Sequence, residues 1–155
     1  MMTEPLISAR NIKKYFDVKG GKLKAVDGIS FDIFPRETFG LVGESGCGKS
    51  TAGRTIVRLY DPAEGELIFN GQNIYKLSRK DMQEIRRDFQ MIFQDPLASL
   101  NPRMTIGDII AEPLQTFYPE LSKVEVMDRV KSIMMKVGLL PNLINRYPHE
   151  FSGGQ

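Results

Sequence analysis

The chain has 155 residues, 41% hydrophobic and 26% charged, a balance that excludes disordered and fibrous classes and suits one folded domain. Its net charge of +2, from 21 basic and 19 acidic residues, gives no sign of a dedicated nucleic-acid surface, so no nucleic-acid partner is expected. No apolar run approaches the ~18 residues of a membrane span, Met1–Arg10 lacks the apolar stretch of a secretory signal, and the single cysteine, Cys47, excludes an internal disulfide. A reducing cytoplasm is the expected setting. In chain order, Leu6–Tyr15 and Ala25–Phe34 are rich in β-branched and aromatic residues and predict strands, with Asp17–Lys24 turning between them at Gly20-Gly21. Thr38–Val42, after a turn at Pro35-Arg36-Glu37, is a short apolar run suited to a buried strand. Lys49–Leu59 predicts a helix, Asp61–Gly65 a turn, Glu66–Asn70 a strand, and Gly71–Asn73 another turn.

The second half is more helical. Ser78 with Asp81, Thr105 with Asp108, and Ser122 with Glu125 each match a capping box, in which a hydroxyl and a carboxylate satisfy orphan amides at a helix start. Met127, Val130, Met134 and Val137 form a stripe at helical spacing that reads as a core face. Phe89–Phe93 predicts one more strand, and Gln94–Arg103 is irregular. A strand-rich part, residues 1–94, is therefore expected to precede a helical part, residues 95–155.

Between the run Thr38–Val42 and the helix lies Gly43-Glu44-Ser45-Gly46-Cys47-Gly48-Lys49-Ser50-Thr51, which satisfies G-x-x-x-x-G-K-[ST]. Each residue type has a physical task. Glycines let backbone amides close around phosphate oxygens, and the helix that follows starts at the anion with its dipole and free amides. Lys49 is placed to reach β- and γ-phosphates, and the Ser50 hydroxyl to ligate Mg²⁺. Strand before and helix after is the context that makes the pattern specific. Cys47 serves through its backbone, although its thiol is open to alkylation.

A phosphate loop alone fits kinases, GTPases, helicases and transport motors. Phe151-Ser152-Gly153-Gly154-Gln155 narrows the choice, because it resembles the L-S-G-G-Q signature of ABC ATPases with Phe in place of Leu. Ser152 can cap a helix there and the two glycines admit a close anion. Ile92-Phe93-Gln94-Asp95-Pro96 resembles the glutamine loop of the same family, and Phe16 falls where the family places the ring that stacks on adenine, with Tyr15 adjacent. The wording Gln94-Asp95-Pro96-Leu97-Ala98-Ser99-Leu100-Asn101-Pro102-Arg103 and Arg146-Tyr147-Pro148-His149-Glu150-Phe151 is similar to ATPase subunits of dipeptide and oligopeptide permeases, the F-type member of each pair.

That resemblance implies an α/β P-loop fold of ABC type: an antiparallel β subdomain, part of the nucleotide-binding core and a helical subdomain. It implies ATP and Mg²⁺ as cofactors. The nucleotide would be held by Phe16, Gly43, Glu44, Ser45, Gly46, Cys47, Gly48, Lys49, Ser50 and Thr51, with Ser152, Gly153, Gly154 and Gln155 serving an opposing subunit. Lys49 and Gln94 would act in catalysis, and Ser50 and Gln94 on the metal. The partners implied are a second ABC ATPase subunit and integral membrane permeases, at the inner face of the cell membrane. The family pattern continues past Gln155 with a metal-linked aspartate, a catalytic glutamate and a switch histidine, and neither Asp95 nor Glu112 has their spacing. A fragment that binds ATP without turning it over is therefore expected. A soluble ABC ATPase outside transport and a non-enzymatic nucleotide-binding module are the alternatives.

Overall fold

The computed structural model describes residues 4–152, which fold as two compact units that meet in sequence between Met91 and Ile92. Among the described residues no helix is long and apolar enough to cross a membrane.

The first unit is built on a four-stranded antiparallel sheet in the order β2-β1-β3-β4, from β1 (Ile7–Val18), β2 (Gly21–Ile33), β3 (Glu64–Phe69) and β4 (Gln72–Asn73). The first two strands are longer than expected. Their pairing runs to Val18 opposite Gly21, so only Lys19-Gly20 is left to turn the chain. β3 and β4 are joined by Asn70-Gly71, whose φ values of 48° and 77° are those of the type I′ turn that matches strand twist.

One sheet face collects Ile7, Ala9, Ile12, Leu67, Phe69, Ile74 and Met82 into a buried core, closed by α2 (Arg79–Ile85) and by Phe89 stacked on Phe69 at 5.0 Å. Alternation explains the choice, since Ile7 and Ala9 on β1, and Leu67 and Phe69 on β3, recur at the two-residue period of a pleated strand. The β1–β2 register shifts three times near the strands' shared middle: Asn11 turns left-handed at φ 48° while its amide bonds Ser30 Oγ at 2.8 Å, Gly28 is left without a partner between Ile29 and Asp27, and Ala25 between Val26 and Lys24.

Two expected strands are absent. Residues 38–42 and 89–93 have the right composition, but no strand among the described residues offers either a ladder, and a strand exists only by pairing. Their rings pack instead. Phe39 stacks on Phe31 at 4.9 Å, whereas Val42 and Ile92 stand 90% and 96% exposed.

In the second unit α3 (Pro96–Ser99), a short helix inside the stretch expected to be irregular, precedes α4 (Ile106–Phe117) and α5 (Lys123–Lys136). Ile106, Ala111, Val126, Val130 and Met134 form its core. The buried face of α5 therefore runs through Val126, Val130 and Met134. Met127 of the expected stripe lies one position off that face and is 38% exposed, while Val137 comes after the last helical residue, as the C-cap, and is 66% exposed. Of the three expected capping boxes only Ser122–Glu125 closes fully, with Ser122 N–H donating to Glu125 Oε2 at 2.9 Å. At Ser78–Asp81 and Thr105–Asp108 the hydroxyl caps the helix, but the aspartate accepts from that hydroxyl at 2.7 Å in each case. Aspartate is one methylene shorter than glutamate, which leaves its carboxylate on the hydroxyl rather than on the N-cap amide.

Candidate functional site

The phosphate loop lies in the first unit, where residues 43–48 lead into α1 (Lys49–Ile56). Gly48 is the N-cap at φ 96°, and no side chain caps the helix or places an acid in its first turn. Its leading amides thus face an anion with no competing carboxylate. Gly48 has a second reason to be glycine. A Cβ there would sit 2.2 Å from Ala25 O, the carbonyl of the bulge residue in β2, so loop and strand approach closer than any side chain allows.

Lys49 Nζ donates to Gly43 O at 2.8 Å and Glu44 O at 2.5 Å, with Cys47 Sγ at 3.8 Å, so its ammonium lies on the loop's own carbonyls. Ser50 is exposed one residue further along. A concavity of about 350 Å³ runs from Cys47, Gly48, Lys49 and Ala52 to Lys24–Asp27 on β2 and Leu41–Val42 before the loop. Lys24 and Asp27 escaped sequence reasoning because nothing in their spacing marks them; the bulge at Ala25 is what turns this stretch toward the loop. An uncapped helix start, a glycine-lined loop and a flexible ammonium form the donor set that a polyphosphate requires, and the carboxylate of Asp27 in the same concavity is paired with Tyr15 and Lys24.

The two candidate rings are engaged differently. Tyr15 O–H donates to the Asp27 carboxylate, which Lys24 Nζ also bonds at 3.2 Å while lying 5.5 Å from the Tyr15 ring centre. The Tyr15 hydrogen bond, followed by that from Lys24, holds the Asp27 carboxyl below its ordinary range. Phe16, half-buried, meets Tyr60 edge-on at 5.5 Å with Lys14 Nζ 5.1 Å from its centroid. Phe16 pairs with Leu23, two residues before the bulge that meets the loop.

In the second unit Gln94 is exposed on a bend, and Asp95 beside it accepts from Ala98 N at 3.0 Å as the cap of α3. The approach to the signature is anchored on α4. Ile106 N and Gly107 N donate to Arg146 O and Ile144 O, both at 2.8 Å, and Phe151 packs against the unit's core. These bonds satisfy amides that α4 leaves orphaned at its start. His149 stacks on Tyr147 at 5.8 Å. Ser152 is exposed, and Gly153, Gly154 and Gln155 lie outside the described residues.

The family profile described as ABC transporter matches residues 26–155. The oligopeptide transport ATP-binding protein OppF of Salmonella typhimurium is 55% identical over 159 residues, covering 97% of this chain and 48% of the relative. The protein of the same name from Haemophilus influenzae is 59% identical over 146 residues, covering 94% and 44%, and that of Bacillus subtilis 56% over 155 residues, covering 99% and 51%. The chain spans about half the length of the curated relatives it matches. Among solved structures, the dimeric post-hydrolysis state of the ATP-binding cassette MJ0796 bound to ADP and Pi superposes with a TM-score of 0.81 at 25% identity, over 96% of this chain and 64% of that one. A phosphate loop at an uncapped helix start and a fold shared with ATP-binding cassettes accompany the profile match: the chain belongs to the ABC transporter family.

Proposed function

We propose that this chain belongs to the ATP-binding subunit of an ABC importer, coupling ATP binding and hydrolysis to transmembrane uptake of oligopeptides. The observation that carries the reading is the phosphate loop opening onto the uncapped start of α1, in a chain 55–59% identical to three oligopeptide transport ATP-binding proteins. Residues 1–94 would form the strand-rich ATP-binding part and residues 95–155 the helical part that carries the signature. The partners in this reading are a second ATP-binding subunit and membrane permease subunits, which place the protein at the inner face of the cell membrane.

The residues divide the work as follows. The amides of residues 43–51 wrap the phosphates, and Lys49 exchanges its bonds to Gly43 O and Glu44 O for charge-assisted bonds to β- and γ-oxygens. Ser50 would offer its hydroxyl and Gln94 its amide oxygen to Mg²⁺, which when bound would supply neutralisation of charge developing on the phosphate. Gln94, able to donate and accept, also orients the attacking water. Ser152, Gly153, Gly154 and Gln155 offer a further helix start to the phosphate held by the opposing subunit. Phe16 stacks on the base.

The test of transport is phosphate release by the full-length protein assembled with permease subunits in vesicles. Release that rises with added oligopeptide is the expected result. Vigorous release indifferent to peptide and to permease would favour a soluble ABC ATPase outside transport. At the base, Phe16→Ala is expected to weaken ATP and GTP binding alike, by roughly fivefold, because stacking reads a π-face rather than hydrogen-bonding edges. Tyr15→Ala should leave nucleotide affinity nearly unchanged, since that ring is tied to Asp27 and Lys24. Titration calorimetry decides, and a loss confined to the Tyr15 variant would move the stacking site by one residue.

A further inference from the structure

At the far end of α1 from the phosphate loop, roughly 12 Å away by helix rise, three arginines surround a concavity of about 290 Å³. It is lined by Arg58, Arg79, Arg86, Asp61 and Met82. We infer that it is a second anion site, built for a small dianionic oxyanion such as inorganic phosphate and independent of the nucleotide loop.

Two of the three guanidinium groups are fixed by main chain. Arg58 turns the chain after α1 in a left-handed conformation, φ 53°, and its Nη1 donates to Ile74 O at 2.8 Å and Leu77 O at 2.9 Å. Arg86 reaches back from the end of α2 to Val57 O at 3.2 Å and Arg58 O at 3.0 Å. These bonds explain why both side chains are half-buried; those of Arg86 cap the carbonyls that follow α1, and those of Arg58 tie the same turn to residues 74–77. They do not cancel the charge, because a carbonyl is neutral. Each guanidinium also keeps donors beyond those spent, out of its five.

The one carboxylate at the site compensates poorly. Asp61 Oδ1 stands 3.5 Å from Arg58 Nε, and its side chain is 85% exposed against 19% for Arg58. Such a pair is screened by water and worth little. Arg79 is exposed, and among the described residues no acceptor is bonded to its guanidinium. Three positive groups less one negative leave a net charge of +2 around a space sized for a single oxyanion. Lys14 Nζ, bonded to Asp61 O at 2.8 Å, adds a further cation at the rim.

Main-chain bonds account for Arg58 and Arg86 but give Arg79 nothing to do. A dianion would relieve the repulsion among all three and complete their hydrogen bonds, at little entropic cost for the two held rigid. Phosphate, near −2 at neutral pH, matches the charge.

The experiment titrates inorganic phosphate into the full-length Lys49→Ala protein, where the nucleotide loop no longer contributes its lysine, with sodium chloride at equal ionic strength as the control. Saturable binding is expected, weakened about three- to fivefold by Arg79→Gln and tightened by a similar factor in Asp61→Asn, the scale of one exposed charge contact. Arg79 carries no structural bond, so its variant should melt with the parent. Asp61→Asn moves affinity the other way and separates charge from damage. Three results would overturn the site: binding that disappears with Lys49→Ala, a response chloride reproduces, or affinities unchanged by either charge substitution.

Discussion

Lys49→Ala is expected to cost ATP binding about 1.5–3 kcal/mol, roughly tenfold to a hundredfold in Kd, because the phosphates lose a charge-assisted partner and Lys24, the other cation of the concavity, is already paired with Asp27. In the full-length protein the loss in turnover should be larger still, since the same ammonium would neutralise charge that grows toward the transition state. Stability should barely respond. The lysine's present bonds, to Gly43 O and Glu44 O, lie within an exposed loop that packs no core residue. Calorimetry and phosphate release, run beside thermal melts, separate these outcomes. Equal affinity in variant and parent would remove Lys49 from the nucleotide site, and a collapsed melting temperature would make it a structural residue.

Gly65→Ala should do the reverse, unfolding the first unit while touching no functional group. Gly65 has φ 106°, and a Cβ would lie 2.5 Å from Asn11 O, 2.7 Å from Ile12 Cα and 2.8 Å from Arg10 O. All three are backbone atoms, held by the β1–β3 ladder where its register shifts between Arg10 and Lys13. A side chain cannot rotate away from them, so β1 and β3 must part at the wall of the buried core. Left-handed strain of about 1–3 kcal/mol adds to overpacking of similar size, together a large fraction of a domain's stability. Gly71→Ala is the control, because φ is 77° but nothing lies within 4 Å of the added methyl. It should lose only the conformational part, about 1 kcal/mol. Denaturant melts compare the two. Equal, small shifts would show that the close approach at Gly65 yields readily.

The two glycines differ in what a sequence can disclose. Gly71 follows Asn70 between two apolar runs and announces a turn by its neighbours alone, whereas Gly65 is glycine because of a strand fifty-odd positions upstream. The same distinction runs through the whole chain. The phosphate loop can be proposed from sequence because its chemistry is local: amides, a lysine and a hydroxyl within nine consecutive residues. Hairpin strands and helix caps were legible for the same reason, though the length of the acid decided which boxes closed. Residues 38–42 and 89–93 misled because composition speaks of burial while pairing depends on what lies alongside. The arginines at 58, 79 and 86 share no period and no motif. They meet only because α1, the turn after it and α2 fold back on one another.

β2 has a consequence of a different kind. It is an outer strand of its sheet, thirteen residues long, which ordinarily makes a template for recruiting other chains. Lys22 and Lys24 stand exposed along it, the pairing slips at Ala25, and Gly28 at φ 90° kinks it a second time. A recruited strand would have to accept two lysines and match two interruptions of its hydrogen-bond spacing. That flank is therefore guarded against fibrillar growth. Crowding the protein at high concentration should drive neighbours together through side chains, not through a shared ladder on this side.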